Sequence, residues 1–133
     1  RNFDLLDSGD MFGITISTIR NDEVEKYEPH AAPVAQREWQ LYHAAKKGIK
    51  TWVSLEPVLN PVSVIGYLNY LGMYYRTFGR PLLKIGKLNH VKPPSPIDWA
   101  EFGREAVSVC ERFKMQYYIK EDLLKEMEGG SNG

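Results

Sequence analysis

The chain has 133 residues, of which 43% are hydrophobic and 26% charged, a composition typical of one globular domain and not of a disordered segment. Its 17 basic and 17 acidic residues give a formal net charge of zero, so charge does not favour a protein that binds nucleic acid through a basic surface. The one cysteine excludes an internal disulfide, a cysteine-rich zinc site and an iron–sulfur ligand set within this sequence. No apolar run reaches the roughly 18 residues of a membrane span, so we expect a cytoplasmic protein without a membrane partner.

The first predicted strand covers residues 12–17, a short run rich in β-branched side chains between turn residues. A helix is predicted over residues 34–47, because Pro33 suits the first turn and Gly48 suits the position after the last turn. The apolar run at residues 50–55 predicts the second strand. These elements together make a first β-α-β unit.

The second half of the chain continues the same alternation. Asn60 and Asp98 are N-cap signals for two long helices whose apolar residues recur at helical spacing. The predicted elements are a helix over 60–78, a strand over 82–87, a helix over 98–113, a strand over 115–119 and a helix over 121–127.

Four consecutive βα units predict an α/β fold with a parallel sheet. The predicted strand ends lie 38, 31 and 33 residues apart, close to the roughly 31 residues that each unit of a TIM barrel occupies. A doubly wound sheet has similar spacing and stays an alternative. We expect residues 1–128 to form a single α/β domain that belongs to a longer chain, and residues 129–133 to be a flexible tail.

Polar side chains gather where each predicted strand ends. Because side chains alternate along a strand, residues two apart share a face. Lys87 and Asn89 accordingly continue the face of Leu83 and Ile85. The carboxyl ends of parallel strands are where such folds bind ligands, so we expect one polar pocket there. The polar set consists of Thr15, Ser17, Ser54, Glu56, Lys87, Asn89 and Lys120. The alternative is that these residues are polar because strands leave the sheet into solvent.

Glu56 is the leading candidate for a ligand contact, because Pro57 stops the strand and fixes the exit of the chain. Its carboxylate could hold an amine or a ribose hydroxyl, or it could form an ion pair with Lys87 or Lys120. Glu28 and His90 lie in loops and are further candidates. No metal site is predicted, because no pair of histidines has the spacing of metal ligands.

Two other features favour packing over chemistry. Cys110 repeats the apolar face of the third long helix and is predicted to be a buried thiol. Four tyrosines at helical spacing resemble a base-stacking stripe but are more typical of packing; they are Tyr67, Tyr70, Tyr74 and Tyr75.

Several runs resemble radical S-adenosylmethionine proteins of the spore photoproduct lyase-like branch. The first are Phe12–Thr18 (FGITIST), the pair Glu28-Pro29 and Gly48–Pro57 (GIKTWVSLEP). The runs Lys84–His90 (KIGKLNH), Ile97–Trp99 and Tyr117–Lys120 resemble the same branch. The resemblance extends over nearly the whole chain, and the run TWVSLEP is its most specific part.

The resemblance implies the C-terminal half of an incomplete (β/α) TIM-like barrel. Members hold a [4Fe–4S] cluster in a Cys-x3-Cys-x2-Cys loop after the first strand, and the cluster reductively cleaves S-adenosylmethionine to a radical that abstracts hydrogen from a substrate. That loop is absent here, so the cluster would belong to a missing N-terminal part, and this chain alone is not expected to cleave S-adenosylmethionine. The implied S-adenosylmethionine side consists of Thr15, Ser17, Ser54 and Glu56. The implied substrate side consists of Glu28, Lys87, Asn89, His90 and Lys120.

Two functions therefore stay open: the C-terminal part of a radical S-adenosylmethionine enzyme, or a non-catalytic half-barrel that binds a ligand or acts as a scaffold. The expected partner is the missing N-terminal half-barrel or a second copy in a homodimer, since the edges of a four-stranded sheet would expose unpaired backbone groups. Nucleic acid is a possible substrate through the DNA-repair member of the branch, without support from the net charge.

Overall fold

The computed structural model describes residues 11–75, 79–87, 93 and 95–130. The candidate residues Asn89 and His90 lie outside this described part of the chain. The elements in chain order are β1 (Met11–Thr15), α1 (Asn21–Tyr27), α2 (Val34–Lys46), β2 (Lys50–Leu55), α3 (Pro61–Tyr74), β3 (Leu82–Ile85), α4 (Trp99–Phe113), β4 (Tyr117–Ile119) and α5 (Glu121–Gly130). The predicted alternation of strands and helices is confirmed. Helix α1 was not predicted, and α5 continues two residues past the predicted domain end at 128.

The predicted signals mark the helix ends. The side chain of Asn60 accepts a hydrogen bond from the backbone N–H of Ser63, and Pro61 occupies the first turn of α3. The side chain of Asp98 likewise accepts from the N–H of Glu101 at the start of α4. After α2, Gly48 adopts a φ of +82°, a conformation that glycine reaches without steric cost, and the chain turns into β2.

The four strands form one all-parallel sheet in the order β1-β2-β3-β4. Every second residue of the strands packs against the buried faces of helices α2 to α5, and together these side chains form one hydrophobic core. On the strands these core residues are Phe12, Ile14, Val53, Leu55, Leu83 and Ile85. In a doubly wound sheet, helices would cover both faces. Helices that pack on one face of a sequentially ordered parallel sheet are the arrangement of half a TIM-like barrel.

The sole cysteine is expected to be chemically inert in the folded protein. Cys110 is fully buried on α4, and burial raises the pKa of its thiol to about 12, so very little reactive thiolate forms near neutral pH. Ellman's reagent at about pH 8 should leave the native protein unlabelled and should label one thiol per chain in concentrated guanidinium chloride. Rapid labelling without denaturant would contradict the burial of this thiol on α4.

Candidate functional site

The sheet face opposite the core, called here the open face, carries side chains in rows that cross the strands. The residues of the first two rows are paired across neighbouring strands. The third row consists of the residue that directly follows the last paired residue of β2, β3 and β4. The rows, from the amino to the carboxyl end of the strands, are Gly13–Trp52–Leu82, Thr15–Ser54–Lys84–Tyr118 and Glu56–Gly86–Lys120. Polarity therefore increases toward the carboxyl end, where parallel α/β folds bind ligands.

An aromatic ring and a cation lie at the centre of the open face. The indole of Trp52 lies against the backbone of Gly13, where a Cβ atom would meet ring atoms at 1.9 Å. The ammonium group of Lys84 is 4.4 Å from the centroid of the same ring, which is a cation–π contact. The neighbouring Tyr118 side chain is 57% exposed. These side chains form a surface on which a flat or anionic group could rest.

An ion pair lies at the carboxyl end of the open face. The Lys120 Nζ atom is 2.7 Å from Oε1 of Glu56, whose side chain is 11% exposed. Both side chains cross over Gly86, where a Cβ atom would lie 2.4 Å from Oε2 of Glu56. The hydrogen bond and negative charge of Glu56 raise the pKa of Lys120. The alternative considered for Glu56, an ion pair with Lys120, is therefore present.

Arg37 on α2 connects the carboxyl end of β1 to the segment that carries Glu28. Its Nη1 donates to the backbone carbonyl of Thr15 at 2.7 Å, and its Nε donates to the carbonyl of Ala32 at 2.8 Å. Its Nη2 is 3.3 Å from Oε1 of Glu28. Glu28, expected on the substrate side, thus pairs with a buried guanidinium. Arg37 itself was not predicted, although it stands four residues before the buried Leu41 on the apolar stripe of α2.

A second group of polar residues, also not predicted, holds the segment after β1 against the start of α3. The Thr18 hydroxyl donates to Oε1 of Glu23 at 2.5 Å, and the Asn60 amide donates to the same oxygen at 3.2 Å. The backbone N–H of Ile19 donates to the Ser63 hydroxyl at 2.9 Å. These contacts fix the path that the chain takes away from the open face.

Ser17 and Lys87 do not join the polar set on the open face. Ser17 is 1% exposed, and its hydroxyl has no hydrogen-bond partner among the described residues. Lys87 pairs with Glu126 of α5 and lies 5.8 Å from the Trp99 ring centroid, on the face that the helices cover. The expectation that Lys87 lies with Glu56 in one polar pocket is wrong, because Lys87 follows the parity of residues that are buried in the core.

Of the predicted site residues, the structure brings together Thr15, Ser54, Glu56 and Lys120 at the carboxyl end of the open face. No group of three histidine, cysteine, aspartate or glutamate residues could hold a metal ion in the part of the chain that the structure describes. A [4Fe–4S] cluster therefore does not fit these residues. None of the described helices combines the length and the apolarity that crossing a bilayer requires.

No protein-family model, no curated protein and no solved structure matches the chain.

Proposed function

We propose that this chain is the C-terminal part of a radical S-adenosylmethionine enzyme, in which the open face forms one wall of the ligand chamber. The observation that carries the proposal is the row of polar groups at the carboxyl end of a parallel sheet whose other face alone is covered by the helices that the structure describes. In a barrel that face would point inward, and enzymes of this architecture bind their substrates at the carboxyl end of the strands.

The side chains at this end suit the polar groups of S-adenosylmethionine. The ligand carries ribose hydroxyls, an α-ammonium group and an α-carboxylate. Thr15 and Ser54 supply hydroxyl groups that both donate and accept hydrogen bonds, and Glu56 supplies a carboxylate for an ammonium group or a ribose hydroxyl. S-adenosylmethionine would supply hydrogen-abstracting radical chemistry when it is reductively cleaved. The described residues do not fit the iron–sulfur centre for that cleavage, so their part is to bind and orient the ligand.

The ion pair between Glu56 and Lys120 is compatible with both functions, but each function assigns it a different role. Lys120, expected on the substrate side, contacts Glu56, expected on the S-adenosylmethionine side, so the two sides meet at one pair. A carboxylate that is already paired also suits a non-catalytic half-barrel, in which the pair would only hold β2 and β4 together across Gly86. The two functions differ in what happens when the carboxylate is neutralised.

The first test is the reading frame upstream of Arg1, where the proposal expects a Cys-x3-Cys-x2-Cys loop in frame. In that longer protein, reconstituted anaerobically, Glu56→Gln should lower the yield of 5′-deoxyadenosine about tenfold or more, because a charge-assisted hydrogen bond is worth about 1.5–3 kcal/mol. The matched control is Glu121→Gln, which neutralises an exposed carboxylate that is also paired with a lysine, Lys125. An upstream frame without the loop, or a Glu56→Gln variant as active as Glu121→Gln, would favour the scaffold.

A further inference from the structure

An aromatic recess lies between α2 and α3, on the helical layer and away from the open face. It has a volume of about 360 Å³. The side chains that matter for its chemistry are Glu38, Trp39, Tyr42, His43, Tyr70 and Tyr74. Nothing in the proposed function uses this surface.

The rings of the recess are only partly used for packing. All four tyrosines were predicted to serve packing, but only two of them are buried. Tyr67 and Tyr75 are buried, whereas Tyr70 and Tyr74 are 39% and 47% exposed. Tyr70 and Tyr74 stack with their centroids 5.1 Å apart, and Tyr42 lies 5.6 Å from Tyr74. On the α2 side, Trp39 is 61% exposed and packs against the His43 ring at 4.1 Å. A contiguous cluster of exposed apolar groups is more typical of an interaction or ligand site than singly scattered hydrophobic residues are.

A carboxylate gives the aromatic recess a negative charge. Oε1 of Glu38 accepts a hydrogen bond from the Tyr67 hydroxyl at 2.9 Å. Burial raises the pKa of Tyr67, Tyr70 and Tyr75, and the negative charge of Glu38 raises each of them further. Among the residues that the structure describes, no basic side chain forms an ion pair with Glu38. The ring faces nearby do attract a cation, since the Lys46 ammonium lies 5.6 Å from the Tyr42 centroid.

We propose that the aromatic recess binds an alkylated ammonium group, of the kind found in choline-like molecules and in trimethylated lysine. Aromatic rings around a single carboxylate are the chemistry that recognises quaternary ammonium ions through cation–π attraction. The recess is within the range of volumes, roughly 300–1,000 Å³, that small-molecule sites occupy.

The hydrogen-bonding groups of the recess favour a quaternary ammonium over a primary ammonium. A primary ammonium carries three donors, and each needs an acceptor when it leaves water. The recess offers one carboxylate that already accepts from Tyr67, and ring faces are poor substitutes for oxygen acceptors. A quaternary ammonium has no N–H group to satisfy, and its methyl groups can pack directly on the rings.

The test compares choline with its neutral carbon isostere, 3,3-dimethyl-1-butanol, by calorimetric and NMR titration of the whole chain. We expect choline to bind about tenfold or more tightly than the isostere, with shifts centred on Trp39 and the tyrosines, because only the cation gains cation–π and ionic attraction. Equal binding of the two compounds would overturn the proposal.

Two variants measure the contributions of the carboxylate and of the aromatic rings to choline binding separately. Glu38→Gln should weaken choline binding several-fold and leave the isostere unchanged, while Trp39→Leu, at a largely exposed position, should weaken choline binding without unfolding the protein. The control Glu25→Gln neutralises an exposed carboxylate on α1 and should change neither titration. A Glu38→Gln variant that binds choline as the natural chain does would overturn the charge argument.

A peptide that carries trimethyllysine distinguishes the two sources of the same chemical group. Tighter binding of the peptide than of choline supports the proposal with a protein as the source, and the reverse order supports it with a free small molecule. Absence of binding by both cations would overturn the proposal, whatever the outcome for the ligand chamber on the open face.

Discussion

Replacing Arg37 by methionine is expected to lower the free energy of unfolding by about 3 kcal/mol. Arg37 is 8% exposed, and its guanidinium donates to the carbonyls of Thr15 and Ala32 while it pairs with Glu28. Methionine keeps most of the aliphatic stem, so little packing is lost, but two carbonyls and one largely buried carboxylate lose their donor. Denaturant titration followed by circular dichroism measures the change.

Arg20→Met is the matched control, because Arg20 also pairs with a carboxylate, that of Asp22, but both side chains are mostly exposed. Surface pairs of this kind contribute little to stability, so the unfolding midpoint of this variant should stay close to that of the natural chain. If Arg37→Met were as stable as Arg20→Met, the guanidinium could not be the connection between β1 and the segment that carries Glu28.

Gly13→Ala is expected to lower the free energy of unfolding by about 2 kcal/mol, because the added methyl group occupies space that the Trp52 indole fills. The contact is with the body of a rigid ring, at 1.9 to 2.3 Å, so the indole must leave its place on β1. Its cation–π contact with Lys84 would be lost with it. Denaturant titration gives the stability, and a shift in tryptophan emission reports the displaced ring.

Gly66→Ala provides the control with the opposite sign. Gly66 is an exposed residue within α3, and no heavy atom lies within 4 Å of the place where its Cβ would be. Alanine in a helix interior is more favourable than glycine by about 0.5–1 kcal/mol, so this variant should be slightly more stable than the natural chain. Equal stability of the two variants, with unchanged emission, would show that Trp52 does not lie on Gly13.

The order of the elements could be predicted because its signals are local. Turn residues, N-caps such as Asn60 and the spacing of apolar residues each act over a few positions, and they agree with one another along most of the chain. Helix α1 lacks such a pattern, since Val24 is its one buried residue. Whether helices would cover one face of the sheet or both depends on packing between distant segments, and the spacing of the strands did not decide it.

The candidate site could be predicted in part. Alternation within a strand correctly placed Thr15, Ser54 and Glu56 together, because the opposite parity in β1 and β2 is apolar and enters the core. Lys87 follows the same rule: it has the parity of core residues and lies beyond the end of β3, where its long side chain reaches Glu126 on the helix-covered side. The expectation failed because Lys87 was grouped with Glu56 for its polarity at a strand end and not for its parity. Polarity at a strand end therefore indicates exit from the core and does not identify the open face.

The contacts of Arg37 could not be predicted from the sequence, for a different reason. A charged residue within an apolar stripe looks like an interruption of the pattern, although it was the signal that could have found this contact. Two of its partners are backbone carbonyls, one of them 22 residues away, and any residue type carries that acceptor. A sequence therefore cannot show such partners, and only the folded chain does.

Lys120 directly follows β4, the outer strand of the described sheet, so its contact with Glu56 depends on how often β4 opens. Among the described strands, β4 pairs with β3 alone, over three residues, and α5 follows it directly. Segments held by one short ladder open locally far more often than the whole domain unfolds, and their amides exchange with solvent sooner. Each such opening would carry the ammonium group away from Glu56 while β2 stays in place. The balance of charge at the carboxyl end of the open face would then change each time the contact between Lys120 and Glu56 opens, at the rate at which β4 separates from β3.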